Sequence, residues 1–173
     1  GYARWAQKHN LKEVSKTLLY LQENKINSVD DLRERTDAAV SQYHALGDSI
    51  KAIEKRMNEI SVLRTHIINY AKTCDVYAAY RKTGYSKKFL EEHREEIELH
   101  KAAKVAFDNA SLKKLPKVKD LNAEYSGLRA KKKSEYSEYR KARDEMQELK
   151  KAQKNVEIFF ADEKDRKNKT LAR

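Results

Sequence analysis

"VDDLRERTDAAVSQYHALGDSIKAIEKRMNEISVLRTHIINYAKTCDVYAAYRK", residues 29–82, carries a 3–4 spacing without a break. The repeat runs through Val29, Leu32, Thr36, Ala39, Tyr43, Leu46, Ile50, Ile53, Met57, Ile60, Arg64, Ile67, Ala71, Cys74 and Ala78. Only Thr36 and Arg64 depart from apolar character. Held over about seven heptads, this is the pattern of a coiled-coil seam. The spacing predicts one helix from Val29 to Arg81, roughly 80 Å long at 1.5 Å per residue.

The flanks supply the start and stop. Ser28 with Asp31 three residues on forms a capping-box variant, and Asp30 and Asp31 suit the positive end of the helix dipole. At the far end Gly84 of "KTGYS" supplies a left-handed C-terminal residue, and Ser86 is placed to cap a shorter helix over residues 87–110. Pro116 in "SLKKLPKVKD" then sets up a fresh start.

From Val118 the heptad returns through Leu121, Tyr125, Leu128, Lys132, Glu135, Tyr139, Ala142, Met146, Leu149, Gln153, Val156 and Phe160. It falters at Lys132 and Glu135, where Tyr136 is expected to take over. Upstream, Leu11, Val14, Leu18 and Leu21 step by three and four, which buries one face of a first helical unit. In that unit Asn10 is expected to cap a second start, and Trp5 to anchor the entry turn.

The expected fold is therefore all-α: an elongated antiparallel coiled-coil hairpin of two long helices, residues 29–81 and 118–160. A shorter helix, 87–110, packs at the bend. Residues 1–27 form the N-terminal helical unit, residues 28–161 the hairpin, and residues 162–173 a charged tail expected to fray. The repeats fit pairing within one chain or between two, so a homodimer through the coiled coil satisfies the same pattern.

Composition agrees. Four Gly and one Pro leave few breakers among 173 residues, and 38% are charged. No apolar run approaches the ~20 residues of a membrane span, and the single Cys74 cannot staple the fold; both fit a cytoplasmic chain without membrane contact. The net charge of +11 points to acidic partners, nucleic acid first among them, although surplus lysine also serves solubility.

Residues 65–89, "THIINYAKTCDVYAAYRKTGYSKKF", hold four tyrosines and five Lys or Arg against one acid. On a helix, Ile67, Ala71, Cys74 and Ala78 continue the seam. His66, Tyr70, Thr73, Tyr77 and Tyr80 form a second stripe about a quarter-turn away. Two such faces require a third element, and the 87–110 helix, with Phe89, Leu90, Ile97, Ala103 and Phe107, is the expected partner. Left over are Lys72, Arg81, Lys82, Lys87 and Lys88, with Tyr85 in the loop. Lys113, Lys114 and Lys117 extend the positive surface from the next turn. Lysines neutralise phosphates and an exposed tyrosine stacks on an unpaired base, so these nine residues are the candidate nucleic-acid contacts.

No catalytic constellation is legible, and no cofactor or metal site is expected. His93 and His100 lie seven residues apart, ~10 Å along a helix, too far to clamp one ion. "EEHREEIELH", residues 91–100, reads as a solvated helix face, and there is no glycine-rich phosphate loop and no nucleophile elbow.

Read together, "YARWAQKHNLKEVSKTLLYLQEN", "THIINYAKTCDVYAAYRKTGYSKKF" and "LKKLPKVKDLNAEYSGL" resemble the C-terminal helical region of relaxases, the mobilisation nucleases of conjugative transposons and plasmids in Gram-positive gut bacteria. Such relaxases nick one strand at the transfer origin with a tyrosine and a histidine-bound metal, in an N-terminal domain. The resemblance carries no catalytic residue onto this sequence. It implies a non-enzymatic accessory region that contacts DNA, including single strands at a transfer origin, or docks relaxosome and coupling proteins. The alternative is a coiled-coil spacer or dimerisation module without nucleic-acid binding.

Overall fold

The computed structural model describes the backbone of residues 2–110 and 114–171, and the side chains of residues 11–110 and 114–161. Among these residues the chain is all-α, with no strand. The helices are α1 (Tyr2–Glu23), α2 (Val29–Lys82), α3 (Lys87–Glu92), α4 (Arg94–Asn109) and α5 (Val118–Leu171). The two long helices pack against each other antiparallel, as the paired heptads predict. The chain divides into two compact units, Gly1–Ser49 with Glu135–Arg173, and Ile50–Ser134, and both long helices contribute to each. No helix among the described residues is long and apolar enough to cross a membrane.

Local chemistry sets the helix ends. The Asp31 N–H donates to Ser28 Oγ (3.0 Å), while the Asp31 carboxylate accepts from the Asn27 N–H (3.3 Å), a reciprocal cap at the start of α2. α1 and α2 both end in the same left-handed turn. At α1 the Ile26 N–H reaches the Leu21 carbonyl and the Lys25 N–H reaches Gln22, with Lys25 at φ 53°. At α2 the Tyr85 N–H reaches Tyr80 and the Gly84 N–H reaches Arg81, with Gly84 at φ 63°. Gly84 thus acts as its residue type predicts, whereas Lys25 adopts this backbone despite its Cβ. Ser86 holds the position before α3, but its hydroxyl makes no capping bond.

In the first unit, Ile26, Leu32, Ala39, Met146, Leu149 and Ala152 form the core. Tyr43 stacks on Tyr139 at 4.8 Å between centroids, and the Tyr139 hydroxyl donates to that of Tyr43. A Cβ at Gly47 would lie 3.4 Å from the Tyr139 ring, so the small residue makes room for it. Thr36, the polar exception in the seam, is buried because its hydroxyl donates to the Leu32 carbonyl at 2.7 Å.

α1 departs from expectation. It runs unbroken through Asn10, and the side chain of Trp5 lies outside the described residues. Its inward residues are Thr17, Tyr20 and Leu21, and Asn155 Nδ2 donates to Thr17 Oγ1 at 2.9 Å. Leu11 and Leu18, expected to be buried, are exposed, since one residue's step round the helix separates Thr17 from Leu18. α5 also continues as helix to Leu171, where a frayed tail was expected.

In the second unit, falling α5 numbers meet rising α2 numbers. Lys132 Nζ pairs with Glu54 (2.7 Å), Arg56 Nε with Glu124 (2.7 Å), and Arg64 Nη1 donates to Asn122 Oδ1 (2.8 Å). The polar seam positions Arg64 and Lys132 therefore have partners on the opposite helix. Arg64 also lies 6.0 Å above the Tyr125 ring. At the seam's weak point Glu135 is half-buried and Tyr136 is exposed, so Tyr136 does not replace it.

Ile50, Ile53 and Ile60 are buried, but Ala71, Cys74 and Ala78 are exposed. The reason is length. α5 begins at Val118, and Asn122 in its first turns already meets Arg64. Past Ile67 the other stripe is covered instead, by α4. The His100 ring stacks on Tyr77 (4.1 Å) and Tyr70 (4.5 Å), and Phe107 meets Tyr70 edge-on (5.5 Å). Ile97 and Ala103 are wholly buried, as the third-element expectation requires. The single helix expected over 87–110 is divided at His93, whose ψ of 33° turns α3 into α4 while its ring packs on Phe89.

Candidate nucleic-acid interface

The bend between α2 and α3 is built by a tyrosine pair. Tyr80 is buried, and the Tyr85 ring meets it edge-on at 5.1 Å, while the Phe89 ring stacks with it at 6.2 Å. These contacts hold Tyr85 at φ 63°, a left-handed backbone that costs a non-glycine residue about 1 kcal/mol. Tyr85 stays 56% exposed. Around it Arg81, Lys82, Lys87 and Lys88 are all exposed, and no acid lies between residues 81 and 88. Five of the nine candidate residues are thus brought together at one turn.

The remaining candidates lie elsewhere. Lys72 is exposed on α2, ten residues before Lys82. Lys114 lines a groove of about 840 Å³ with Val62, Leu63, His66 and Pro116. His66 is fifteen residues before Arg81, which is about 22 Å along the helix. Lys117 is exposed beside this groove's Pro116, and Lys113 lies outside the described residues. The two basic runs therefore do not merge into one patch at the bend.

Two lysines that the sequence pattern did not single out lie between them. Lys101 Nζ is 5.8 Å from the centre of the Tyr80 ring, and Lys104 Nζ is 5.9 Å from that of Tyr77. With Arg94 they follow one flank of α4 in steps of seven and three, a flank that Asp108 shares. Glu95 and Glu98 point further round the axis. The signal was present in that spacing, but it has meaning only once α4 is known to lie on the tyrosine stripe.

Charge is unevenly divided. Residues 50–134 contain twenty Lys and Arg against eleven Asp and Glu, while the rest of the chain contains eighteen against sixteen. Several of the eleven acids are engaged: Glu54 with Lys132, and Glu59 and Glu124 with Arg56. The Arg56 guanidinium holds the Glu124 carboxyl below the usual carboxylate range. Lys119, Arg129 and Lys133 are exposed on α5 and share its side away from the seam.

His93 and His100 serve packing. Thr73 Oγ1 donates to the Asn69 carbonyl (2.7 Å) and shares a hydrogen bond of 3.1 Å with His100 Nδ1. Burial between the two tyrosines, then the Lys104 charge, pushes His100 below the ordinary imidazole range. Among the described residues no group of three His, Cys, Asp or Glu side chains converges where it could hold a metal ion. The sequence matches no family model, and neither a curated protein nor a solved structure is significantly similar to it.

Proposed function

We propose that the chain is a non-catalytic accessory region of a DNA relaxase, and that residues 50–134 contact nucleic acid during conjugative mobilisation. The observation that carries the DNA contact is the charge excess of that unit, twenty basic residues against eleven acidic. Polyanion binding draws on such a surface through counterion release, without needing a pocket. The bend adds an exposed Tyr85 among Arg81, Lys82, Lys87 and Lys88, a combination suited to an unpaired strand. The assignment to relaxases rests on the three resembling segments. Nicking would belong to a separate domain of such a protein.

A second reading, a coiled-coil spacer, draws support from the paired polar seam positions Arg64 and Lys132, which serve the hairpin alone. Fluorescent single- and double-stranded oligonucleotides titrated at two salt concentrations separate the two. The DNA reading expects affinity that falls steeply with salt. Changing Arg81, Lys82, Lys87 and Lys88 to Ala should lower the log–log salt slope by about 3. Absence of binding at low salt would leave the spacer.

A further inference from the structure

We propose that the first unit carries a self-association surface, on which a second copy of the chain docks the same face. The inference is independent of nucleic-acid binding and concerns the unit that carries little net charge. α1 and the end of α5 leave an apolar face open. Leu11 is 72% exposed, Leu18 61%, Val29 42%, Phe159 48% and Phe160 51%. Four of these five, all but Leu11, line one hollow of about 230 Å³, floored by Leu21 and Val156. Leu11 lies seven residues before Leu18 and so on the same side of α1.

Size favours a second copy. At about 200 Å² for a fully exposed Leu or Phe, the five side chains present roughly 500 Å² of apolar surface. A stable dimer buries about 800 Å² per partner, about 65% of it apolar in a homodimer, which is again about 500 Å².

Charge agrees. Outside residues 50–134 the basic and acidic residues are nearly balanced, eighteen against sixteen, so two copies of this face meet without strong repulsion. The lining of the hollow holds no Lys or Arg, so it does not suit a phosphate backbone. Two helices from each copy, brought face to face about a two-fold axis, close into a four-helix arrangement that covers both stripes.

The test is sedimentation equilibrium of the whole chain from about 1 to about 100 µM. The expected mass rises to twice the 20.2 kDa of one chain. Leu18→Asp and Phe160→Asp, each alone, should weaken the dimer at least about 100-fold. Because both side chains are exposed, the helical circular dichroism of each variant should equal the parent's. A chain that stays monomeric throughout overturns the proposal and leaves the face to a different protein. A dimer untouched by either Asp substitution overturns it too, by placing the contact elsewhere. Oligonucleotide binding is read separately, so either proposal can fail alone.

Discussion

The change of partner along α2 yields a sharp test, because the heptad and the structure assign opposite roles to neighbouring residues. By the repeat, Cys74 is a seam residue and Tyr77 a flanking one. In the structure Cys74 is exposed, whereas Tyr77 is half-buried with its ring 4.1 Å from His100 and nearly parallel to it. Cys74→Glu should then change stability by less than about 0.5 kcal/mol, the range of surface substitutions. Tyr77→Ala removes a half-buried ring, about 1 to 1.5 kcal/mol by area, and a stacked pair worth about 1 kcal/mol more. A partial cavity against His100 brings the expected cost to roughly 2–3 kcal/mol. With a urea slope near 2 kcal/mol/M, the midpoint should fall by about 1 M or more. Urea unfolding followed by circular dichroism reads both variants, and a thiol reagent should label Cys74 in the native protein. The reasoning is refuted if Cys74→Glu costs more than about 2 kcal/mol while Tyr77→Ala is nearly silent. Protection of the native thiol would refute it as well, since another helix would then cover the seam beyond Ile67.

Three further outcomes are expected. His100 sits below the ordinary imidazole range, so between its folded and unfolded values the unfolded chain holds the extra proton; that part of the stability is complete above about pH 6.5 and is lost as pH falls below it. Urea midpoints against pH should show the loss, and His100→Phe, which keeps a ring between Tyr70 and Tyr77, should remove the same increment. Lys25→Gly relieves a left-handed backbone at the end of α1 and should raise stability by about 0.5–1 kcal/mol, visible as a higher melting temperature. Ile60→Ala, at a wholly buried seam position, should cost about 3–4 kcal/mol in the same denaturant assay.

Much of the fold was legible because its signals are local or periodic. The heptads gave the pairing of the long helices, Ser28 and Gly84 gave two of the helix ends, and the second tyrosine stripe gave the third element. What escaped depends on where helices end in space. Nothing in "AKTCDVYAA" tells that α5 runs out near Arg64, so the repeat continued on paper to Ala78 while the contact had passed to α4. Thr17 was missed on α1 because a threonine does not count as apolar, yet bonding to its own helix and to Asn155 satisfies its hydroxyl. The candidate interface was legible only in part. Contiguous residues such as Arg81–Lys88 show in a string, whereas Lys101 and Lys104 join them only through α4's packing on Tyr80 and Tyr77.

The three cross-helix polar pairs of residues 50–134 have a consequence for folding. An apolar repeat of seven is blind to sliding: shift one helix by about 10.5 Å and hydrophobe still meets hydrophobe. Glu54, Arg56 and Arg64 are alignment marks that break this degeneracy. Seven residues either side of Glu54 stand Gly47 and Ser61, and either side of Arg56 stand Ser49 and Leu63. A hairpin closed one notch off would therefore leave Lys132 and Glu124 facing no opposite charge. The chain has one way to shut correctly, and a foreign heptad helix that lacks the same marks would be a poor substitute for either arm.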